Sequence, residues 1–367
     1  MRLTYNSLSL PKLQPGRLRN LLEAADRLGR KISDLEIERL PLSVYGKEDV
    51  GKFQRHFEEA IRKYVHILAW LEFPEYSVVP DVFVDYGGGH GVLGCLAREA
   101  GFPCVIYSDL FEGCADDARK LAESLGLVAD SYVCGDIQAV AAAMKSKPSN
   151  WATLASVNVI EHIYDIGDFI STACALSSGP MTLALSTSAN PLNPLVVQRH
   201  RRQHSEWEFT DGPHKGSYPM DTLKAFCSVR RDIIRAAAPE LSASEVESLM
   251  TATRGMRKTD IENSVLVYRQ TMVMPAAPKD PTNTCDPLTG SWQERLLDIN
   301  EVRQRFGACG FDVRLMGGYY AGYGSQSMTR TLSKAAAYCA NYGISLLGSQ
   351  GARIAPCIMF HATRGRR

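Results

Sequence analysis

Short apolar runs alternate with amphipathic stretches between residues 80 and 190. Apolar runs of this length are typical of buried strands, and the stretches between them have the apolar spacing of helices. The predicted strands are 81–86, 103–108, 130–134, 152–158 and 181–187, and the predicted helices are 91–100, 112–125, 137–145 and 165–177. Because strands and helices alternate, the pattern predicts an α/β fold with a parallel sheet covered by helices on both faces.

The pattern changes on both sides of this region. Apolar positions at helical spacing over 48–71 predict a mainly helical N-terminal segment, residues 1–77. Residues 191–290 break the alternation, with helical patterns at 221–238 and 242–255, and are predicted to be an insertion that covers the active-site face. The alternation resumes in this order: a helix at 298–308, a strand at 311–316, a helix at 326–341 and a strand at 353–361. The predicted domain organisation is 1–77, 78–190, 191–290 and 291–367.

The composition narrows the class of protein. The chain has 367 residues, 45% of them hydrophobic, and a formal net charge of +1, so no overall field would recruit nucleic acid. No apolar run reaches the roughly 20 residues needed to span a bilayer, and the N-terminus lacks an apolar signal core. The ten cysteines include no C-x-x-C pair, so no structural metal is expected. We therefore expect a cytoplasmic protein with neither a membrane span nor a nucleic-acid partner.

A glycine turn follows the first predicted strand of the α/β region. Glycine permits positive φ and lets the backbone approach a ligand closely. Gly87, Gly89 and Gly91 fit the G-x-G-x-G turn of enzymes that bind S-adenosyl-L-methionine (SAM), whereas Gly89, Gly91 and Gly94 fit the dinucleotide fingerprint. The first register is favoured because it begins directly after the strand. In addition, the carboxylate of Asp85 suits the ammonium group of SAM and would crowd a pyrophosphate.

Acidic residues also follow the next two predicted strands. Asp109 ends the second strand, where a carboxylate can accept hydrogen bonds from the ribose hydroxyls of an adenosine, and Leu110 follows it. Asp136 follows the third strand and could accept a hydrogen bond from the adenine amino group while Ile137 packs on the ring. Each aspartate could instead cap the helix that follows. These four residues are predicted to bind the adenosine part of a cofactor.

The fourth predicted strand leads into a polar segment. Asn158 and Glu161 are expected to line the cofactor pocket, and His162 is a candidate general base, because an unperturbed histidine titrates near neutral pH. A structural role for His162 is the alternative. His204 is the second catalytic candidate, and His200 and His214 are weaker ones within the insertion.

These motifs together resemble class I SAM-dependent methyltransferases. The resemblance is carried by Asp85 with the glycine turn, by Asp109, by the segments 135–137 and 159–162, and by a Gly-Phe-x-Val motif at 310–313. It covers roughly half of the chain and implies a Rossmann-like, doubly wound, mostly parallel seven-stranded sheet whose last strand is antiparallel. The N-terminal helical segment and the helical insertion depart from the family pattern, so the resemblance implies no particular acceptor.

The resemblance implies that the chain transfers a methyl group from SAM. We expect a small-molecule acceptor that is methylated at a hydroxyl oxygen, with no metal required. A homodimer is possible. Three alternatives stay open at this point: an NAD-dependent oxidoreductase that uses the other glycine register, a methyltransferase acting on a macromolecule, and a non-catalytic methyltransferase-like subunit. The macromolecular alternative is less favoured because no Asn/Asp-Pro-Pro-Tyr run follows the fourth strand.

Overall fold

A seven-stranded sheet organises the protein. The computed structural model describes residues 15–71, 79–145, 147, 151–211, 222–320 and 328–365. The strands are β1 (Val82–Tyr86), β2 (Cys104–Asp109), β3 (Ser131–Cys134), β4 (Ala152–Val157), β5 (Met181–Thr187), β6 (Asp312–Gly317) and β7 (Ile358–Arg364). Their order across the sheet is β3-β2-β1-β4-β5-β7-β6. The predicted Rossmann-like, mostly parallel sheet is confirmed.

Strands β1 to β5 run parallel, and β7 runs antiparallel between β5 and β6. In the registers, Asp85 of β1 lies opposite Tyr107 of β2, and Tyr86 lies opposite Ser156 of β4. Every residue of β1 and β5 is buried, as expected for central strands covered on both faces. The carboxyl ends of β1, β2, β3 and β4 therefore meet at one edge of the sheet, where ligands bind in folds of this kind.

Helices connect the strands and extend the chain at its N-terminal side. Most of the predicted helices are confirmed to within a few residues, and the helical pattern over 48–71 corresponds to two consecutive helices. The helices are α1 (Pro15–Ser33), α2 (Val44–Arg55), α3 (Phe57–Leu71), α4 (Val92–Glu99), α5 (Glu112–Leu125), α6 (Ile137–Met144), α7 (Ile166–Ala175), α8 (Pro194–Phe209), α9 (Phe226–Ala237), α10 (Ala243–Ala252), α11 (Lys258–Thr271), α12 (Ile299–Ala308) and α13 (Met328–Leu346). None of these helices is both long enough and apolar enough to cross a bilayer.

The described residues fall into two compact units. The first unit draws on Met1–Val159, Gly167–Thr187 and Asn300–Arg367, and it contains the whole sheet. Its main core joins α1, α3 and α4 to the sheet. The N-terminal helices are therefore an integral part of the first unit, because their apolar faces complete its core. The fully buried side chains of this core include Leu21, Leu28, Ile61, Val65, Phe83 and Leu96.

The second unit draws on Ile160–Ile166 and Ser188–Ile299. Helices α9, α10 and α11 share an apolar core that contains Ile234, Leu249 and Val265. A buried ion pair joins Arg230 of α9 to Glu208 of α8, and Thr284 Oγ1 donates a hydrogen bond to the same carboxylate over 2.7 Å. Burial opposes ionisation of Glu208, but Arg230 and Thr284 outweigh it and hold the pKa of this carboxyl below its usual value.

Two helices of the second unit were not predicted. Helix α8 turns polar residues inward: its buried positions are Val196, His200, His204 and Glu208. A helix with so few buried apolar residues lacks the hydrophobic periodicity by which helices are predicted. Helix α11 also carries exposed apolar residues, such as Leu266 and Val267, between its buried positions. Its apolar residues therefore do not show the spacing of an amphipathic helix.

Candidate functional site

The glycine turn begins directly after β1, and three alternating residues of the turn have left-handed backbones. Their φ values are +67° for Gly87, +51° for Gly89 and +75° for Gly91. Gly94, the third glycine of the dinucleotide register, lies inside α4 and is absent from the residues with positive φ. The backbone therefore requires glycine at the positions of the G-x-G-x-G register.

Close neighbours reinforce this requirement at two of the three positions. A Cβ on Gly87 would lie 2.4 Å from Cγ2 of Val159, and one on Gly91 would lie 2.9 Å from the Cβ of Ala118. A Cβ on Gly89 would meet nothing within 4 Å, so open space lies beside the middle of the turn. The Tyr107 hydroxyl donates a hydrogen bond to Gly89 O over 2.6 Å and helps to hold the turn from the side of β2.

Asp85 lies beneath this turn and is 2% exposed. Its Oδ2 accepts a hydrogen bond from the Gly94 amide over 2.9 Å, at the first turn of α4. Burial raises the pKa of Asp85 to about 7, although the Gly94 hydrogen bond works against this shift; the nearby Asp109 charge contributes to it. Asp85 therefore links the end of β1 to α4. Its contact with a ligand ammonium group stays a prediction.

Asp109 ends β2, as predicted, and its carboxylate lies at the turn. Oδ2 accepts a hydrogen bond from Gly89 N over 3.1 Å, and Oδ1 accepts one from Phe111 N over 3.1 Å. Burial raises the pKa of Asp109 although these backbone amides oppose the shift. The neighbouring Leu110 side chain is 64% exposed, so it offers an apolar surface next to this carboxylate.

Asp136 follows β3 and caps α6. Its Oδ1 accepts hydrogen bonds from Gln138 N over 3.1 Å and from Ala139 N over 3.2 Å. The helix-capping role considered for this residue is therefore present in the structure. Because the Asp136 residue is exposed, a contact with adenine is compatible with the cap, whereas Ile137 is buried. Both adenine-binding roles stay predictions.

Asn158 follows β4 and has a left-handed backbone with φ of +56°. The backbone N–H of Asn158 donates a hydrogen bond to Ser186 O on the neighbouring β5 over 2.8 Å, and this bond fixes the chain at the bend. Lys63 Nζ of α3 donates to its side-chain Oδ1 over 3.4 Å. The first unit therefore brings Asp85, the glycine turn, Asp109, Asp136 and Asn158 to one edge of the sheet.

Glu161 and His162 belong to the second unit. Glu161 is fully buried, and its Oε1 accepts a hydrogen bond from Ser188 N over 3.3 Å. His162 Nδ1 lies 2.7 Å from Trp292 O, while Trp292 N donates to His162 O over 3.1 Å. Because a carbonyl can only accept, the Nδ1 proton is donated to it, and Nε2 is the nitrogen able to take up a proton.

His204, the second catalytic candidate, is completely buried in the second unit. Its Nε2 donates a hydrogen bond to Glu294 O over 3.0 Å, and its ring stacks on that of His200 at 6.4 Å between centroids. Burial lowers the pKa of His204, although its hydrogen bond to the Glu294 carbonyl opposes the shift. His214 lies outside the described residues.

Glu294 is a residue that the sequence analysis did not select. Its φ is +44°, a conformation that glutamate rarely adopts. Its Oε2 accepts a hydrogen bond from Ser188 Oγ over 3.0 Å, and its carbonyl holds His204. Strained backbones of this kind are concentrated at functional sites. No local sequence signal identifies Glu294, because a left-handed glutamate has no characteristic neighbours along the chain.

Comparisons with known proteins identify methyltransferase structures. No protein-family model matches the sequence, and no curated protein matches it significantly. A SAM-dependent methyltransferase from Archaeoglobus fulgidus is 13% identical over 86% of this chain and 98% of its own, with a TM-score of 0.37. The plantazolicin methyltransferase, solved with a triazolic desmethylPZN analogue and S-adenosylhomocysteine (SAH), is 12% identical over 95% and 99%, with a TM-score of 0.36.

The magnesium protoporphyrin IX methyltransferase from Synechocystis, solved with SAH, is 13% identical over 93% of this chain and 94% of its own, with a TM-score of 0.36. With these identities and TM-scores, no argument about this chain rests on the three structures. The strand order of this chain, its antiparallel β7 and the glycine turn after β1 are themselves the features of one fold. The chain has a Rossmann-like, doubly wound α/β fold with a mostly parallel seven-stranded sheet.

Proposed function

We propose that this protein is a SAM-dependent methyltransferase that methylates a small-molecule acceptor at a hydroxyl oxygen. The observation that carries the proposal is the turn after β1, where Gly87, Gly89 and Gly91 alternate at positive φ and the Asp109 carboxylate accepts a hydrogen bond from the Gly89 amide. This is the register expected for SAM.

The residues around the turn fit the chemical groups of SAM. The space beside Gly89 would let a ligand lie against the backbone. Asp109 at the end of β2 would accept hydrogen bonds from the ribose hydroxyls, and Leu110 would supply an apolar contact. Asp136 and Ile137 would bind the adenine ring. When bound, SAM supplies a methyl group on a sulfonium that is already activated for transfer.

The role left to the protein is to orient the reactants, exclude water and receive a proton. We assign proton uptake to His162, whose Nδ1 is fixed on the Trp292 carbonyl so that Nε2 can accept the hydroxyl proton. His204 is assigned a supporting role, because burial lowers its pKa and its Nε2 is already bound to Glu294 O. A hydroxyl group must lose its proton when it is methylated and therefore needs a base. We propose oxygen over nitrogen because His162 is a candidate for that base.

A thermal-unfolding titration tests the proposed cofactor. SAM and SAH should each raise the melting temperature, whereas NADH should not, because only a ligand that binds the folded state stabilises it. Protection by NADH alone would favour the oxidoreductase that uses the other glycine register. If neither class of ligand raised the melting temperature, the non-catalytic alternative would replace this proposal. SAH release from SAM with a panel of small hydroxyl compounds then tests the transfer itself.

A further inference from the structure

The N-terminal helices pack directly on the glycine turn. The ring of His90, within the turn, lies 4.7 Å from the ring of Phe53 in α2 and 6.3 Å from that of Tyr64 in α3, measured between centroids. The Val92 amide donates a hydrogen bond to His90 Nδ1 over 3.2 Å, which fixes the imidazole at the start of α4. The N-terminal segment is therefore part of the environment of the turn.

These helices are also anchored to the sheet's own helices. Ser43 caps α2 by accepting a hydrogen bond from Gly46 N over 3.0 Å. The Ser43 amide donates to Asp117 Oδ1 on α5 over 2.8 Å, and its hydroxyl donates to the other carboxylate oxygen over 2.5 Å. With Ile61 and Val65 fully buried in the main core, α3 is held in a defined position beside the turn.

Lys63 projects from α3 toward the end of β4. It is half-buried, and its Nζ lies 3.4 Å from Oδ1 of Asn158, an exposed residue at the carboxyl edge of the sheet. Strand β4 pairs with β1, which leads into the glycine turn. The ammonium group therefore lies at the same edge as the proposed SAM site, although 95 positions separate the two residues.

Acidic residues gather at this edge beside Lys63. Asp85, Asp109 and Asp136 stand at or just after the ends of three neighbouring strands and suit the ammonium and hydroxyl groups of SAM. The methionine part of SAM also carries a carboxylate, which an ionised carboxylate nearby would repel. A cation beside the turn would remove this conflict, and lysine is a compact, flexible cation suited to that task.

We propose that Lys63 binds the carboxylate of the methionine part of SAM, so that the N-terminal helical segment forms one wall of the cofactor site. The proposal rests on the proposed function. It makes Lys63 a specificity determinant: the protein distinguishes SAM and SAH from adenosine thioethers that lack the amino-acid group. Asn158 positions the ammonium group through its Oδ1.

Calorimetric binding of two probes tests this role. SAH carries the amino-acid group, whereas 5′-methylthioadenosine has the same adenosine and sulfur without it. Lys63→Met should weaken SAH binding by about 10- to 100-fold, the effect of losing a charge-assisted hydrogen bond, and should leave methylthioadenosine binding unchanged. Lys63→Arg should retain most of the SAH affinity. Lys52→Met, which removes an exposed lysine of α2 that pairs with Glu48, is the matched control and should change neither affinity.

The two ligands separate the possible failures. Equal SAH affinities of the wild type and Lys63→Met would overturn the assignment of Lys63 while leaving the proposed function intact. Equal losses for both probes would also overturn it, since they would indicate a disturbed site and no selective loss of a carboxylate contact. If the wild type bound neither probe, the proposed function itself would be wrong, and the role of Lys63 would fall with it.

Discussion

The Gly89 amide donates a hydrogen bond to Oδ2 of Asp109 over 3.1 Å, joining the glycine turn to the end of β2 across 20 positions of sequence. Asp109 thus holds the turn and stands where a ribose is expected. Asp109→Ala should weaken SAH binding by about 1–3 kcal/mol, because hydrogen bonds to a charged carboxylate are lost. Calorimetry measures this change. Asp109→Asn keeps one acceptor oxygen, so its SAH affinity should fall between those of the wild type and Asp109→Ala. Unchanged affinity in Asp109→Ala would show that Asp109 is not part of the site.

The glycine register can be tested with a pair of alanine substitutions. Gly87→Ala should abolish SAH binding and lower stability, because φ is +67° and the new Cβ would lie 2.4 Å from Val159 Cγ2. Gly94→Ala should change stability and affinity by no more than about 1 kcal/mol, since Gly94 is helical and its nearest neighbour, Asp85 Oδ2, is 3.4 Å away. The opposite ranking of the two variants would favour the dinucleotide register.

The buried carboxyl of Asp85 predicts a particular pH dependence of stability. Its pKa is raised from 3.8 in the unfolded chain to about 7 in the folded protein. The folded state therefore holds the proton more tightly, so Asp85 stabilises the protein at low pH, and this contribution is lost as pH rises through about 7. Asp85→Asn should gain stability relative to the wild type by about 1.4 kcal/mol for each pH unit between pH 5 and about pH 7, and little more between pH 7 and pH 8.

Urea denaturation at the two pH values measures this difference. Because the other ionisable groups are shared by the two proteins, the comparison isolates residue 85. A stability difference that stayed constant across this range would contradict a raised pKa for Asp85.

His162 should affect turnover more than binding of either substrate. Removing a general base typically lowers the rate by about 10²- to 10⁴-fold, so His162→Ala should reduce kcat by this order while KM changes little. SAH release with an acceptor that the wild type methylates is the measurement. His204→Ala is the comparison. It should mainly lower the stability of the protein, because removing a buried side chain leaves a cavity. Full activity of His162→Ala would return His162 to a structural role.

Glu294 should show a conflict between stability and activity. Glu294→Gly relieves a φ of +44° and should raise stability by roughly 1 kcal/mol, yet it removes the carboxylate that accepts from Ser188 and should reduce turnover. Met272, also left-handed with φ of +59° and 66% exposed, provides the control. Met272→Gly should raise the melting temperature with no effect on turnover. If Glu294→Gly were as active as the wild type, its strain would have no link to function.

The local pattern of the chain determined the strands, the glycine turn and the order of acidic residues after successive strands. These features are readable because each depends on residues adjacent in sequence: a strand on its apolar run, and a turn on glycines at fixed spacing. The same reasoning located Asp109 and Asn158 correctly at strand ends, since parallel strands bring their carboxyl ends to one edge.

Only the tertiary structure decided where side chains point and which distant segments meet. Asp85 faces the Gly94 amide in the interior, and Lys63 reaches Asn158 from an N-terminal helix. Helix α8 escaped prediction because its inward face is polar and finds its partners, Arg230 among them, far along the chain. Such contacts depend on long-range packing and complementary charges, which hydrophobic periodicity does not encode.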